Sequence, residues 1–150
     1  MSKRSNTLYW IAFWLVIAAL TAQNTVAVTG VHEAPAAFVT AQIDAVVGDL
    51  GCDAVKTGML ASREIVDAVA AAIRRHRLPH VVVDPVMVAK SGDHLLAAAA
   101  VEAVRGVLLP LADVVTPNVP EAEVLTGRAI TTVGDAIAAD IEGPDQAAEV

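Results

Sequence analysis

Apolar residues along the chain fall into short and long blocks, and the two kinds predict different elements. Residues 81–83 and 114–115 are valine runs that stop at polar residues beside a proline. Such β-branched runs are typical of strands buried in a parallel sheet. Longer blocks carry apolar residues at helical spacing, so that strands alternate with helices of about 15 residues in βαβ units. The pattern predicts an α/β fold, with a mostly parallel sheet and helices on both faces.

The predicted elements follow one another without an internal repeat or a low-complexity linker. Ser62 is a candidate N-cap for the second helix, and Pro110 is expected to stop the third. A short turn or strand end is expected at 29–32, and another helix begins at 131–135. The remaining predictions are helices at 35–50, 62–77, 95–109 and 120–125, a strand followed by a loop at 53–60, and strands at 81–83 and 114–116.

Composition sets the size of the protein and excludes one class of partner. The chain has 150 residues, the length of one domain, and 55% of them are hydrophobic, which suffices for a core. Its formal net charge is −7, and clustered positive charge is what nucleic-acid binding requires. The basic cluster at 74–77 ends a predicted helix, where it complements the helix dipole. We therefore expect no nucleic-acid partner.

Cysteine and histidine do not point to a metal or a disulfide. Cys52 is the only cysteine, so neither a disulfide framework nor a thiolate site can be built. The four histidines show no ligand spacing such as HExxH. We expect Cys52 to be a small, half-buried residue.

The N-terminus allows more than one interpretation. Residues 8–20 are apolar and follow Lys3 and Arg4, as in a signal peptide, and 25–27 offer a weak cleavage site. The stretch is shorter than the about 20 residues that a transmembrane helix needs. A buried strand or core helix explains it equally well, and membrane association through 8–20 stays an alternative.

Polar side chains follow the predicted strands at the edge where α/β proteins bind ligands. Asp84 follows one valine run, and Thr116, Asn118 and Glu121 follow the next. Asp84 can hold Mg²⁺ or bond a loop, while Asn118 can cap a helix in whose first turn Glu121 is favourable. Glu121 could also bind Mg²⁺ through water. Lys90, in a flexible loop, adds a positive charge, and phosphoryl transfer needs such an array.

Five motifs occur in an order that resembles one known family. They are LTAQNT at 20–25, VTGVH at 28–32, DAVKTGML at 53–60, DPVMVAKSG at 84–92 and TPNxxEA at 116–122. Together they resemble the bifunctional hydroxymethylpyrimidine and phosphomethylpyrimidine kinases of thiamine biosynthesis, which have the ribokinase-like fold. The resemblance covers about 19–140. It implies a divergent apolar segment at 1–18, the central part of a kinase domain at 19–140 and a polar tail at 141–150.

The resemblance implies an activity and a role for each candidate residue. The activity is ATP-dependent phosphorylation of 4-amino-5-hydroxymethyl-2-methylpyrimidine and of its monophosphate, in the cytoplasm, with a homodimer as one alternative. A pocket at Gln23 also implies a strand ending at Ala22 and argues against cleavage near Ala27. The implied roles are pyrimidine hydrogen bonding by Gln23, ring contacts by Met59 and Val86, organisation of Mg²⁺ and the ATP phosphates by Asp84 and Glu121, and phosphate contacts by Lys90, Thr116 and Asn118. Core packing explains Met59 and Val86 equally well.

Two segments of the family pattern do not occur in these residues. The glycine-rich strand and loop with which family members begin has no counterpart at 1–18, and nothing like GxGC or GxGD follows Asp140. The implied anion hole and catalytic base are thus absent, which predicts a weak or inactive kinase because preorganised electrostatics supplies much of the rate. A non-catalytic pyrimidine-binding module and a gene remnant stay as alternatives.

Overall fold

The computed structural model describes residues 16–25, 28–87, 96–132 and 135. Residues 1–15, Lys90 and the tail at 141–150 lie outside this part, as does nearly all of the helix predicted from 131. The elements in chain order are β1 (Ala19–Gln23), β2 (Val28–Glu33), α1 (Ala36–Leu50), β3 (Val55–Thr57), α2 (Arg63–His76), β4 (Val81–Val83), α3 (Ala98–Ala103), a π-helical turn (Val104–Leu108), a 3₁₀ turn (Leu109–Leu111), β5 (Val114–Val115) and α4 (Val119–Thr126).

The predicted parallel sheet is confirmed and contains the valine runs. Strands β3, β4 and β5 are neighbours in that order and pair in parallel. Val81 and Val83 of β4 are buried, as expected for the central strand of a sheet covered by helices. The Asp113 carboxylate extends the ladder, because its Oδ2 accepts a hydrogen bond from Val81 N at 2.7 Å. The carboxyl ends of the three strands consequently lie along one edge.

A second, two-stranded sheet differs from the prediction. Strands β1 and β2 form an antiparallel hairpin, in which Ala19 pairs with Glu33. The strand expected to end at Ala22 continues to Gln23, and the turn or strand end expected at 29–32 is a full strand. Nearly all side chains of both strands are exposed. A strand exposed on both faces does not need alternating apolar and polar residues, so the sequence lacks the pattern that identifies a half-buried strand.

Helices α1 and α2 were correctly predicted, but the ends of α2 differ in detail. Ser62 occupies the N-cap position, yet its side chain makes no capping hydrogen bond. The basic C-terminal end contacts α1, because Arg75 and His76 both bond the Asp44 carboxylate. The hydrogen bond with His76, assisted by Arg75, holds the pKa of Asp44 below its ordinary value. The basic cluster therefore joins two helices.

The third predicted helix was wrong in both extent and geometry. It begins at Ala98, changes to a π-helical turn at Val104 and ends in a 3₁₀ turn that contains Pro110. Pro110 does not stop the helix, since the first turn of a helical segment tolerates a residue without an N–H. Single π turns inside helices are rare and are frequently found at functional sites. Val104 and Leu108 of this turn are buried.

The core lies between the parallel sheet and the helices. Its largest fully buried side chains include Ile65 and Val66 of α2, Met87 after β4 and Leu108 of the π turn. Cys52 is half-buried, as predicted. Within the described residues, none of the helices has the length and apolar character needed to cross a membrane.

Candidate functional site

Asp84 is the first residue after β4 and is held at the edge of the sheet by three contacts. Its N–H donates to Thr57 O at 3.2 Å, and its carbonyl oxygen accepts from Val86 N at 2.9 Å. Its carboxylate forms an ion pair with Lys56 of β3, with 2.8 Å between Nζ and Oδ2. The Asp84 side chain is 27% exposed, so the carboxylate remains accessible to a ligand.

Lys56 was not among the residues that the sequence predicted for the site. The sequence offered one signal for Lys56, a lysine inside the strand predicted within 53–60. The predicted Asp84 carboxylate follows the next strand along the chain. The ion pair depends, however, on the register of β3 against β4, in which Lys56 lies opposite Val82 and two residues from Asp84. Side-chain neighbours across strands follow from register, which the sequence alone did not provide.

Glu121 is a buried carboxylate with hydrogen bonds to both of its oxygens. Asn118 Oδ1 accepts from Glu121 N at 2.9 Å, and Glu121 Oε2 accepts from Asn118 N at 3.0 Å, which together form a capping box at the start of α4. Glu121 Oε1 accepts from Met87 N at 3.2 Å. The side chain therefore joins the start of α4 to the segment that follows β4.

We expect Glu121→Gln to lower the free energy of unfolding by about 1–3 kcal/mol, because a glutamine amide has only one acceptor oxygen. Its NH₂ group would face either Met87 N–H or Asn118 N–H and leave a buried donor unpaired. Urea unfolding of the purified protein measures the change. Glu123→Gln is the matched control, since among the described residues the Glu123 carboxylate accepts through one oxygen, from Ile130 N at 2.7 Å, and a glutamine oxygen can take over that bond. An equal loss in both variants would contradict this explanation.

The structure gathers most of the predicted residues at the strand ends. Thr116 follows β5, and its N–H donates to Val83 O at 3.0 Å. Val86 is half-buried beside Asp84, and Met59 lies two residues after β3, half-buried against the core. Gln23 ends β1 on the separate hairpin and is exposed. Asp84, Val86, Asn118 and Glu121 are thus linked through Met87 and the capping box, while Lys90 lies outside the described residues.

The described carboxylates suit a Mg²⁺ site with few protein ligands, rather than a site built from three or more protein side chains. The described residues contain no group of three or more His, Cys, Asp or Glu side chains that could hold a metal ion. Mg²⁺ is usually held by one or two carboxylates, together with substrate phosphates and water. The accessible Asp84 carboxylate and the fixed Glu121 carboxylate fit such a donor set.

Solved structures share this fold. A phosphomethylpyrimidine kinase from Clostridium difficile superposes with a TM-score of 0.76 at 42% identity, over 83% of this chain and 54% of that one. A pyridoxal kinase from Staphylococcus aureus, solved in complex with AMP-PCP and pyridoxal, has a TM-score of 0.70 at 30% identity, over 83% and 44% of the two chains. The fold is therefore that of the ribokinase-like small-molecule kinases.

Within that class, the chain belongs to the phosphomethylpyrimidine kinase family, whose profile matches residues 11–144. The hydroxymethylpyrimidine/phosphomethylpyrimidine kinase of Rhizobium meliloti is 56% identical over 115 residues, which are 77% of this chain and 43% of that protein. The resemblance found in the sequence is confirmed. The chain spans less than half the length of this relative.

Proposed function

We propose that the protein transfers the terminal phosphoryl group of ATP to 4-amino-5-hydroxymethyl-2-methylpyrimidine and to its monophosphate, for thiamine diphosphate synthesis. Family membership supports the reaction class. The observation that carries the proposal is the convergence of Asp84, Glu121 and Thr116 at the carboxyl ends of β4 and β5. This is the edge where α/β sheets bind phosphorylated ligands.

The carboxylates organise the phosphate side of the proposed site. When bound, Mg²⁺ would neutralise charge on the phosphates of ATP. Asp84 would contact the ion directly, since its carboxylate is accessible and Lys56 holds it in place. Glu121, with each oxygen already bonded to an amide, would act through a water molecule. Thr116 and Asn118 would contact phosphate oxygens, and Lys90 stays a predicted phosphate contact.

The pyrimidine side of the proposed site depends on three residues. Gln23 would hydrogen-bond the aminopyrimidine, because a carboxamide offers both the donor and the acceptor that the ring requires. Val86 and Met59 would pack against the ring faces, and both are half-buried rather than fully enclosed in the core. Cytoplasmic location and a homodimer stay predictions that rest on the family.

Calorimetry with the pyrimidine alcohol tests the substrate assignment. We expect Gln23→Leu to weaken binding about tenfold, the loss expected for one or two net hydrogen bonds. His32→Ala, which changes another exposed side chain of the hairpin, should bind like the unchanged protein. Equal affinity in Gln23→Leu would contradict the role of Gln23.

A coupled ATPase assay separates the kinase from the alternative of a non-catalytic binding module. A polypeptide of these 150 residues alone should turn over far more slowly than the about 1–100 per second of ordinary kinases, because residues 141–150 contain no glycine-rich anion-hole motif. Replacing residues 1–18 by the N-terminal segment of the Rhizobium relative and appending its corresponding C-terminal part should restore turnover. Pyrimidine binding without turnover in that fusion would favour the binding module instead.

A further inference from the structure

Thr57, the last residue of β3, has a buried hydroxyl group for which the described residues provide no hydrogen-bond partner. The residue is 6% exposed, and its Oγ1 forms no hydrogen bond with any group in the described ranges 16–25, 28–87 and 96–132. Buried side-chain hydroxyls nearly always have a partner, because a missing one costs free energy. Valine has the same shape as threonine and avoids that cost. The hydroxyl at this position therefore points to a partner other than the described protein groups, and water is the simplest such partner.

A small cavity adjoins Thr57 at the carboxyl ends of β3 and β4. Its volume is about 10 Å³, near the smallest that holds one water molecule. Residues of the candidate site and residues of the π turn both line it. The lining residues are Thr57, Gly58, Leu60, Val83, Asp84, Pro85, Val86, Leu96, Val104 and Leu108.

The lining of this cavity restricts what a bound water could contact. Thr57 and Asp84 carry the only polar side chains among its described lining residues. A buried water usually makes about three hydrogen bonds, and two of them can come from these side chains. Their backbones are already adjacent, because Asp84 N donates to Thr57 O at 3.2 Å. The lining also includes Val104 and Leu108 of the π turn, and π turns are frequently found at functional sites.

We propose that one ordered water molecule in this cavity joins the Thr57 hydroxyl to the Asp84 carboxylate, and that Thr57 is thereby a positioning residue for Asp84. Lys56 bonds the same carboxylate from the exposed side, and the water bonds it from the cavity side. The water site stands on the geometry alone. The consequence for Mg²⁺ rests on the proposed function.

Thr57→Val and Thr57→Ser test the water site without reference to activity. In crystals of the purified protein that diffract well enough to show water, we expect a density peak within about 3 Å of Thr57 Oγ1 and of the Asp84 carboxylate. The peak should persist in Thr57→Ser and disappear in Thr57→Val. We also expect Thr57→Val to lower the Tm by about 2–4 °C, as the loss of a satisfied hydrogen bond would. A cavity without water, together with a higher Tm in Thr57→Val, would overturn the proposal.

The positioning role has a separate readout. We expect Thr57→Val to raise severalfold the Mg²⁺ concentration that gives the half-maximal rate, and Thr57→Ser to restore it. An unchanged Mg²⁺ requirement in Thr57→Val would overturn the positioning role. If the fusion with the missing parts of the Rhizobium relative, in which the Mg²⁺ requirement is measured, phosphorylates no pyrimidine, the proposed function fails, whereas the crystallographic and thermal results still decide the water site.

Discussion

Asp84→Asn is expected to lower kcat/KM for pyrimidine phosphorylation by about 10²–10³-fold, the loss typical of removing one preorganised electrostatic group. The asparagine keeps the shape and the backbone contacts of Asp84, so that the change is confined to charge. Without that charge, the site loses the accessible carboxylate that we propose as a Mg²⁺ ligand, and Lys56 loses its ion-pair partner. Initial rates at saturating ATP, measured in the form of the protein that is active, give the ratio.

Asp67→Asn is the matched control for this prediction. Asp67 also forms an ion pair, with 3.4 Å between its Oδ2 and Arg63 Nε, but the pair lies on the exposed face of α2. Such i,i+4 pairs contribute little, so that rates and stability should stay nearly unchanged. An Asp84→Asn protein as active as Asp67→Asn would contradict the assignment of Asp84.

Ile65→Ala is expected to lower the free energy of unfolding by about 2–5 kcal/mol, which combines lost burial with the cost of a cavity. Ile65 is 1% exposed, in the face of α2 that packs into the core. Ile65→Val removes a single methylene group and should cost only about 0.5–1.5 kcal/mol. Chemical unfolding of the three proteins gives both differences.

Phe38→Ala is the corresponding control on the surface. Phe38 lies in α1 and is 61% exposed, so its truncation should change the free energy of unfolding by no more than about 0.5 kcal/mol. A Phe38→Ala loss as large as that of Ile65→Ala would contradict the placement of the core between α2 and the parallel sheet.

The parallel sheet could be predicted because its sequence signal is local. Residues 81–83 are three valines, two of them fully buried, and the neighbouring strand repeats the valine run at 114–115, although Val114 is 51% exposed. Strands covered on both faces need apolar side chains at every position. Helix α2 was equally predictable, because its buried residues recur at helical spacing.

The hairpin and the π turn left no such signal. Strands β1 and β2 are exposed along nearly their whole length, so no alternating pattern distinguishes them from a loop. The π turn contains Arg105 and Gly106 within an otherwise mostly apolar segment, and a helix of ordinary geometry would account for the same residues. Its position depends on packing against α2, which contacts the turn in the folded protein.

The sequence predicted those residues of the candidate site that follow a strand, but not the contacts between them. Asp84 and Glu121 were identified because each follows a strand, and the resemblance added their roles. The capping box between Asn118 and Glu121 was also foreseen as an alternative, but the bond from Met87 N to Glu121 was not. Lys56 and Thr57 were missed because their importance arises from the register of β3 beside β4.

The order of strands in the parallel sheet has a consequence for how the protein is made. Strands β3, β4 and β5 are neighbours in the sheet in the same order in which they occur in the chain. Each strand can therefore pair with the one synthesised just before it, and none of the three has to insert between two strands that are already paired. Since chains emerge from the ribosome N-terminus first, this sheet can grow strand by strand during translation, with α2 covering β3 and β4 before β5 has been made.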